Sequence, residues 1–247
     1  MVDRLYEALS LPERSYLGKR VYKRFFHEHA KLGATDRKAF SEDIDTIIWQ
    51  YTLKPSTVPI LSYQDGSIEY LEVAVIQINL KTQRRTARII EIVHRIIPYP
   101  IVLVFVFDSL ILVSLANKRL SRAEHDAIVA EDFTDTGWID LSDTTSVEEQ
   151  FLESVTFRRL PATDFFVYYT ALFDRVVALN AAQISDRFVV DAMDSKKEHL
   201  KRYNELGRQI IELRTAIRKE SAFNRKVELN SKIKELEGLQ EQEAQQL

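Results

Sequence analysis

The sequence predicts an α/β (α+β) protein: a mixed central sheet of about five or six strands flanked by helices, then a C-terminal helical coiled-coil or αα-hairpin tail. Three observations lead there. Ile96 to Asn117 (IIPYPIVLVFVFDSLILVSLAN) holds the densest apolar signal in the chain, and its β-branched residues stiffen the backbone toward strand. Before it, a strand pattern is followed by a helix pattern, which makes a strand–helix–strand crossover. From about Asp191, charges and glutamines alternate with leucine and isoleucine and no proline intervenes. The predicted division is a globular body over 1–190 and a tail over 191–247.

The Ile96–Asn117 run is long enough for a membrane span, but Pro98 and Pro100 interrupt one end and Asp108 lies near its middle, where an ion is costly. It reads instead as two strands, Ile101–Phe107 and Leu110–Leu115, meeting at a tight turn over Asp108 and Ser109. With 45% hydrophobic residues the chain has material for a substantial core. Its 34 Lys+Arg against 37 Asp+Glu create no global field toward nucleic acid or membrane, so any such contact must be local. The absence of cysteine excludes disulfides, thiolate zinc and cysteine nucleophiles. The amino-terminal residues MVDRLYEALSLPER lack a signal-peptide apolar run, and a cytoplasmic location is expected. None of the six glycines forms GxGxxG or GxxxxGK, and no cofactor is expected.

In chain order, Ser10 and Pro12 predict the start of a helix running through Tyr16, Arg20, Arg24 and His27. Lys19, Arg20, Lys23 and Arg24 then recur at i and i+4 as a basic stripe, which is either a solvated face or a DNA- or anion-binding one. His27 and His29, two apart on a helix, point to different faces and are not read as metal ligands. Thr35 or Asp36 caps an amphipathic helix over FSEDIDTII, and a strand follows from about Ile48 to Leu53. Glu42, Asp43 and Asp45 lack a histidine or aligned carboxylate to complete a metal site. Asp65-Gly66 marks a turn, and the apolar parity change between Val75 and Ile76 means a bulge or a strand buried on both faces.

Thr82 is the expected cap of a helix whose Ile89, Ile90, Val93 and Ile97 face the core. Lys81, Arg84, Arg85 and Arg88 crowd its positive end, so an anion is expected there, either Glu69 and Glu72 from the preceding strand or a phosphate. Strands are expected over Ala127–Phe133 and Trp138–Leu141, a capping box at Ser146/Glu149, and a long helix from Thr163 or Asp164 that is apolar around most of its circumference.

In the tail, Tyr203, Leu206, Ile210, Leu213 and Ile217 form a heptad seam that breaks at Glu220 and resumes out of phase at Leu229, Ile233 and Leu236. A hairpin with Phe223 as plug and Asn224 at the corner is favoured over a continuous helix with a stutter. Ile210, Leu213, Ile217, Phe223, Leu229, Ile233 and Leu236 are the candidate partner-binding residues, with self-association through the tail as the alternative.

No GxSxG, HExxH or DFG signature is present. A restriction-type nuclease would need an acidic residue and a later acid-x-Lys pair on adjacent strands, but IQINLK carries Gln77 and Asn79 where those carboxylates belong. Catalytic and metal residues are therefore expected to be none. The segments FSEDIDTIIWQYTLKPSTV, IIPYPIVLVFVFDSLILVSLANKR and FNRKVELNSKIKELE together resemble the DUF4391 family of bacterial and archaeal proteins. That resemblance implies genes beside helicases and DNA methyltransferases in restriction-modification or anti-phage loci. It also implies a non-catalytic accessory subunit that docks a helicase or methyltransferase. The alternatives are a divergent metal-dependent nuclease and a direct DNA-binding module.

Overall fold

The computed structural model describes residues 2–29, 32–121 and 128–247, which form two compact units, Met1–Val176 and Val177–Leu247. The first unit begins with α1 (Asp3–Leu9), a short 3-10 turn, β1 (Tyr16–Val21), α2 (Lys23–His29) and α3 (Ala34–Lys38). A single π-helical turn, Ala39–Asp43, leads into β2 (Ile44–Leu53). A small hairpin, β3 (Tyr63–Asp65) and β4 (Ile68–Tyr70), turns at Gly66 and precedes β5 (Val73–Leu80), α4 (Thr86–Ile96), β6 (Ile101–Phe107) and β7 (Leu110–Leu120). Then come β8 (Ile128–Asp135), β9 (Ile139–Asp140), α5 (Ser146–Ser154) and α6 (Phe165–Ser185), a helix that continues across the boundary between the units.

The sheet has seven strands in the order β1-β2-β5-β6-β7-β8, with β9 pairing the start of β7. Among the described strands of this sheet only β5 and β6 are parallel, joined by α4; the other pairs are antiparallel. The fold is thus the mixed α/β arrangement expected from the apolar run. Phe107 pairs with Leu110 around a two-residue loop in which Asp108 has φ of 53°, the left-handed conformation that short hairpin loops require. No helix among the described residues is long and apolar enough to cross a membrane.

Both faces of the sheet are covered, which explains why β5 has no clean alternation: Val73 through Ile78 are all buried. On one face Ile76, Ile78, Leu103 and Phe105 pack with Phe26, Phe40 and the Ile89, Val93 and Ile97 side of α4. On the other, Val102, Val104, Val113 and Leu115 meet Leu5 and Leu9 of α1, Phe151 of α5 and Leu172 of α6, leaving an apolar void of about 20 Å³. Tyr169 ties this face to the sheet, its hydroxyl donating to the Ile101 carbonyl (2.9 Å) and accepting from the Ala116 amide (3.1 Å).

Several local readings are corrected. The helix expected from Ser10 to His27 does not form as one piece: Tyr16–Val21 is the edge strand, and helix resumes only at Lys23. A bulge at Gly18 (φ 60°) and pairing of Arg20 and Val21 with Ile48 and Ile47 override the helical spacing. The expected FSEDIDTII helix stops at Asp43, because Ile44 and Ile47 are needed in the sheet. α4 starts at Thr86, not at Thr82, whose hydroxyl is engaged by Asp43. The capping box is Thr145/Glu148, one residue earlier than expected.

The second unit contains α7 (Met193–Lys219) and α8 (Phe223–Ala244), with an extended corner at Glu220 between them. They pack as a hairpin: Ile210, Ile233 and Leu236 are buried, with Leu206, Leu213 and Ile217 packed against them. Arg214–Glu237 (2.7 Å) and His199–Glu243 (2.6 Å) bridge the two helices. Phe223 is not a plug; it is 77% exposed, and Asn224 lies within α8, not at the corner.

Lys118 of β7 is a buried cation with a structural task. Its Nζ donates to the carbonyls of His94 and Ile97 (2.9 Å to Ile97), groups left unsatisfied at the end of α4. Burial pulls its pKa down from 10.5 to about 7. The neutral amine still has two N–H groups for the two carbonyls. The neighbouring His94 ring, fully buried against Phe133, is held well below its ordinary value by burial and then by Lys118.

Two consequences are measurable. Because the unfolded chain binds a proton at Lys118 up to its ordinary pKa of 10.5 while the folded chain does so only below about 7, this group favours folding increasingly as pH rises from about 7 toward 10.5. That part of the stability–pH slope should disappear in Lys118→Met, as measured by urea unfolding at a series of pH values; an unchanged slope would remove Lys118 as its source. At the β6–β7 turn, Asp108→Val should cost about 1–2 kcal/mol and Asp108→Gly should be neutral or stabilising in the same assay.

Candidate nucleic-acid interface

The ends of β2 and β5 that lie together set the geometry. β2 begins where β5 finishes, Ile44 opposite Leu80 and Thr46 opposite Asn79. Asp43, 1% exposed, sits at this junction: its carbonyl accepts from the Lys81 amide (2.7 Å) and its carboxylate from Thr82 (2.9 Å) and, through both oxygens, from Arg85 (2.5 and 3.0 Å). Arg85 hydrogen-bonding holds the Asp43 carboxyl below its ordinary value. Arg85 also reaches Glu42 (2.7 Å), while Arg88 makes a two-pronged contact with Asp36 (2.8 and 2.9 Å) and another with Glu91 (2.6 Å).

The anions at the start of α4 are therefore internal, but they are Asp36, Glu42 and Asp43, not the Glu69 and Glu72 expected from the adjacent strand. Arg85 and Arg88 are each held by two carboxylates of the chain itself. Arg84 is exposed and in no ion pair among the described residues.

The basic stripe is replaced by something different. Lys19 and Arg20 lie on β1, the outermost strand, and Lys23 and Arg24 on α2. Lys23 donates to the Ile44 carbonyl (2.5 Å), which brings α2 over the start of β2. Its pKa is lowered by burial first, then by Lys81, and further by Arg20, with Asp45 acting in the opposite direction. Arg20, Lys23 and Lys81 thus share one neighbourhood, a convergence of two sequence clusters. Arg24 pairs with exposed Glu28 one turn on (2.6 Å), worth about 0.3–0.5 kcal/mol. Among the described residues none of Lys19, Arg20, Lys23 and Lys81 is in an ion pair. Tyr16, Leu17, Tyr22 and Phe25 stand exposed around them.

On the face toward α1 lie Gln77 and Asn79, where a restriction-type nuclease would carry carboxylates. A chain of neutral groups joins them: the Tyr6 hydroxyl and the Gln50 amide donate to Gln77 Oε1 (2.9 and 2.8 Å), Gln77 Nε2 to Asn79 Oδ1 (2.7 Å), and Asn79 Nδ2 to Thr46 (2.7 Å). The ladder satisfies itself and carries no formal charge. Among the described residues no group of three or more histidines and carboxylates is placed to hold a metal ion.

The tail candidates Ile210, Ile233 and Leu236 are consumed by the hairpin, Leu213 and Ile217 pack on them, and Leu229 is half-buried. Of the seven residues considered for partner binding, only Phe223 is broadly exposed, together with Ile211 and Val227, which the seam pattern did not single out. Tyr22, Trp49 and Tyr99, which line one hollow, come from separate segments, and no spacing joins them or ties Lys81 to the residues of β1 and α2.

The sequence profile of DUF4391, described as a domain of unknown function, matches residues 9–239. The chain belongs to the DUF4391 family. No curated protein and no solved structure matches it. In this DUF4391 protein the match runs through both units, so the sheet, the basic surface and nearly all of the helical hairpin fall within the family's extent.

The division between structural and available arginines is testable. Arg85→Ala leaves the buried Asp43 carboxylate without its charge partner and should cost on the order of 3 kcal/mol in urea unfolding. Arg84→Ala should change stability by less than about 0.5 kcal/mol. Equal losses from both would mean that the Asp43 contact is not what holds this junction.

Proposed function

We propose that this DUF4391 protein is a cytoplasmic, non-catalytic accessory subunit of a prokaryotic DNA-targeting defence or restriction-modification complex, which contacts DNA itself and docks a helicase or DNA methyltransferase. The observation that carries the DNA-contacting part is the gathering of Arg20, Lys23 and Lys81, none of them in an ion pair among the described residues and with Asp45 the carboxylate nearby, beside exposed Tyr22 and Phe25. A local cationic patch with interleaved aromatics on a chain of formal net charge −3 is the electrostatic footprint of a site-specific phosphate contact rather than of bulk attraction. The partner is the one that the family resemblance implies, a helicase or DNA methyltransferase. The non-catalytic reading is supported by the amide ladder, since Gln77 and Asn79 supply no charge to hold a divalent ion beside a phosphate. Exposed Phe223, Val227 and Ile211 give the helical hairpin an apolar surface that its own seam does not use.

In fluorescence anisotropy the full chain should bind DNA with an affinity that falls steeply with salt. Lys19→Gln, Arg20→Gln and Arg24→Gln combined should lower the slope of log K against log salt by about 0.7–0.9 for each phosphate that the variant no longer neutralises, with the melting temperature preserved. Copurification with the adjacent helicase or methyltransferase should survive these changes and weaken in Phe223→Asp with Ile211→Asp. Unaltered DNA binding in the triple variant would sink the DNA-contact assignment, and failure to copurify with either neighbour would sink the docking assignment.

A further inference from the structure

Two hollows adjoin on the outer part of the sheet. One, of about 320 Å³, is walled by Tyr22, Phe25, Phe26, Trp49, Pro98 and Tyr99. The other, of about 340 Å³, is bounded by Lys23, Arg24 and the start of β2 at Asp45 and Thr46. Both are lined by Arg20, Val21 and Tyr22, so an aromatic hollow and a basic one share a wall. We propose that the aromatic hollow receives one unstacked base of single-stranded DNA while the adjoining phosphate lies in the basic hollow against Arg20 and Lys23. The inference rests on the DNA-contact reading and adds to it the form of DNA and the mode of recognition.

The chemistry of the walls favours this occupant. The Trp49 indole N–H is already engaged by the Tyr51 carbonyl (3.1 Å) and the Thr52 hydroxyl (2.8 Å), so the ring offers its face and not a polar edge. Tyr99 lies against it at 5.8 Å between ring centres. Tyr22 is 70% exposed, with the Arg20 guanidinium 5.9 Å from its ring centre, which leaves an aromatic face and a cation at the mouth. Stacking of a base on such faces is tolerant of sequence, because every base has a π-face, and the positive groove follows the backbone. A base within a duplex is covered by its neighbours and cannot enter. An apolar peptide would fill the aromatic hollow but leave the cations beside it unanswered. The volume is at the small end of ligand pockets, suited to one ring system.

The full chain should be titrated with a fluorescent single-stranded 20-mer, the same strand with abasic nucleotides, its duplex, and the same sequence as RNA. A Trp138→Phe background makes Trp49 the sole tryptophan and a direct reporter. The expected results are single-strand DNA affinity at least tenfold above duplex, about tenfold loss on the abasic strand, and quenching of Trp49 emission on binding. Tyr22→Ala with Phe25→Ala, both at exposed positions, should remove the single-strand preference while leaving the salt slope intact. Salt-dependent binding with equal affinity for intact, abasic and duplex DNA and no change in Trp49 emission would overturn the base-binding hollow and leave the DNA-contact reading standing. Tighter binding of the RNA strand would overturn the choice of DNA. No binding of any strand by the folded chain would overturn both the inference and the reading beneath it.

Discussion

Asp43 is the constraint on which the first unit depends. It lies at the point where a π-helical turn becomes β2, and its backbone carbonyl and carboxylate together hold residues 81, 82 and 85. The contact fixes the end of β5 against the start of β2, sets where α4 begins, and thereby sets the crossover that makes β5 and β6 parallel. A carboxylate so buried is costly unless fully paired, and here both oxygens are occupied by Arg85 with Thr82 adding a third donor. The same arrangement explains why a cationic helix start is tolerated: its charges are answered by Asp36, Glu42 and Asp43 brought from earlier in the chain.

That pairing also separates two kinds of arginine and lysine that look alike in sequence. Arg85 and Arg88 are absorbed into the framework, whereas Arg20, Lys23 and Lys81 are gathered near one another by the strand ends that the Asp43 contact aligns. Lys118 is a third kind, buried beneath α4 and depressed toward neutrality, where its value lies in satisfying two helix-end carbonyls. Charge alone does not distinguish these roles; burial and available partners do.

The sheet's polar ladder belongs to the same junction. Gln77, Asn79, Gln50, Thr46 and Tyr6 pass hydrogen bonds in sequence across β2, β5 and α1. Each group has a partner, so the ladder sits beside an otherwise apolar face without an uncompensated charge. It pins α1 to the sheet and links β2 to β5 through Gln50, Gln77, Asn79 and Thr46.

The sequence by itself determined the elements whose signal is local and redundant. The β-branched run made two strands with Asp108 at the turn, the double-sided burial of β5 was visible in its parity change, and the two out-of-phase seams in the tail made a hairpin. Membership of the DUF4391 family was also legible, because it resides in the order of such segments along nearly the whole chain. The candidate site was only half legible. Lys19, Arg20, Lys23 and Arg24 were visible as basic residues, but as one helical stripe, whereas Lys19 and Arg20 lie on a strand, since cross-strand pairing with Ile47 and Ile48 outweighs a local 3.6-residue period, and only Lys23 and Arg24 are helical. Which arginines are spent on Asp36 and Asp43, and which aromatics from residues 22, 25, 49 and 99 share one hollow, are long-range facts. Only the tertiary structure decided them, because no spacing along the chain encodes which distant side chain reaches a given charge or ring first.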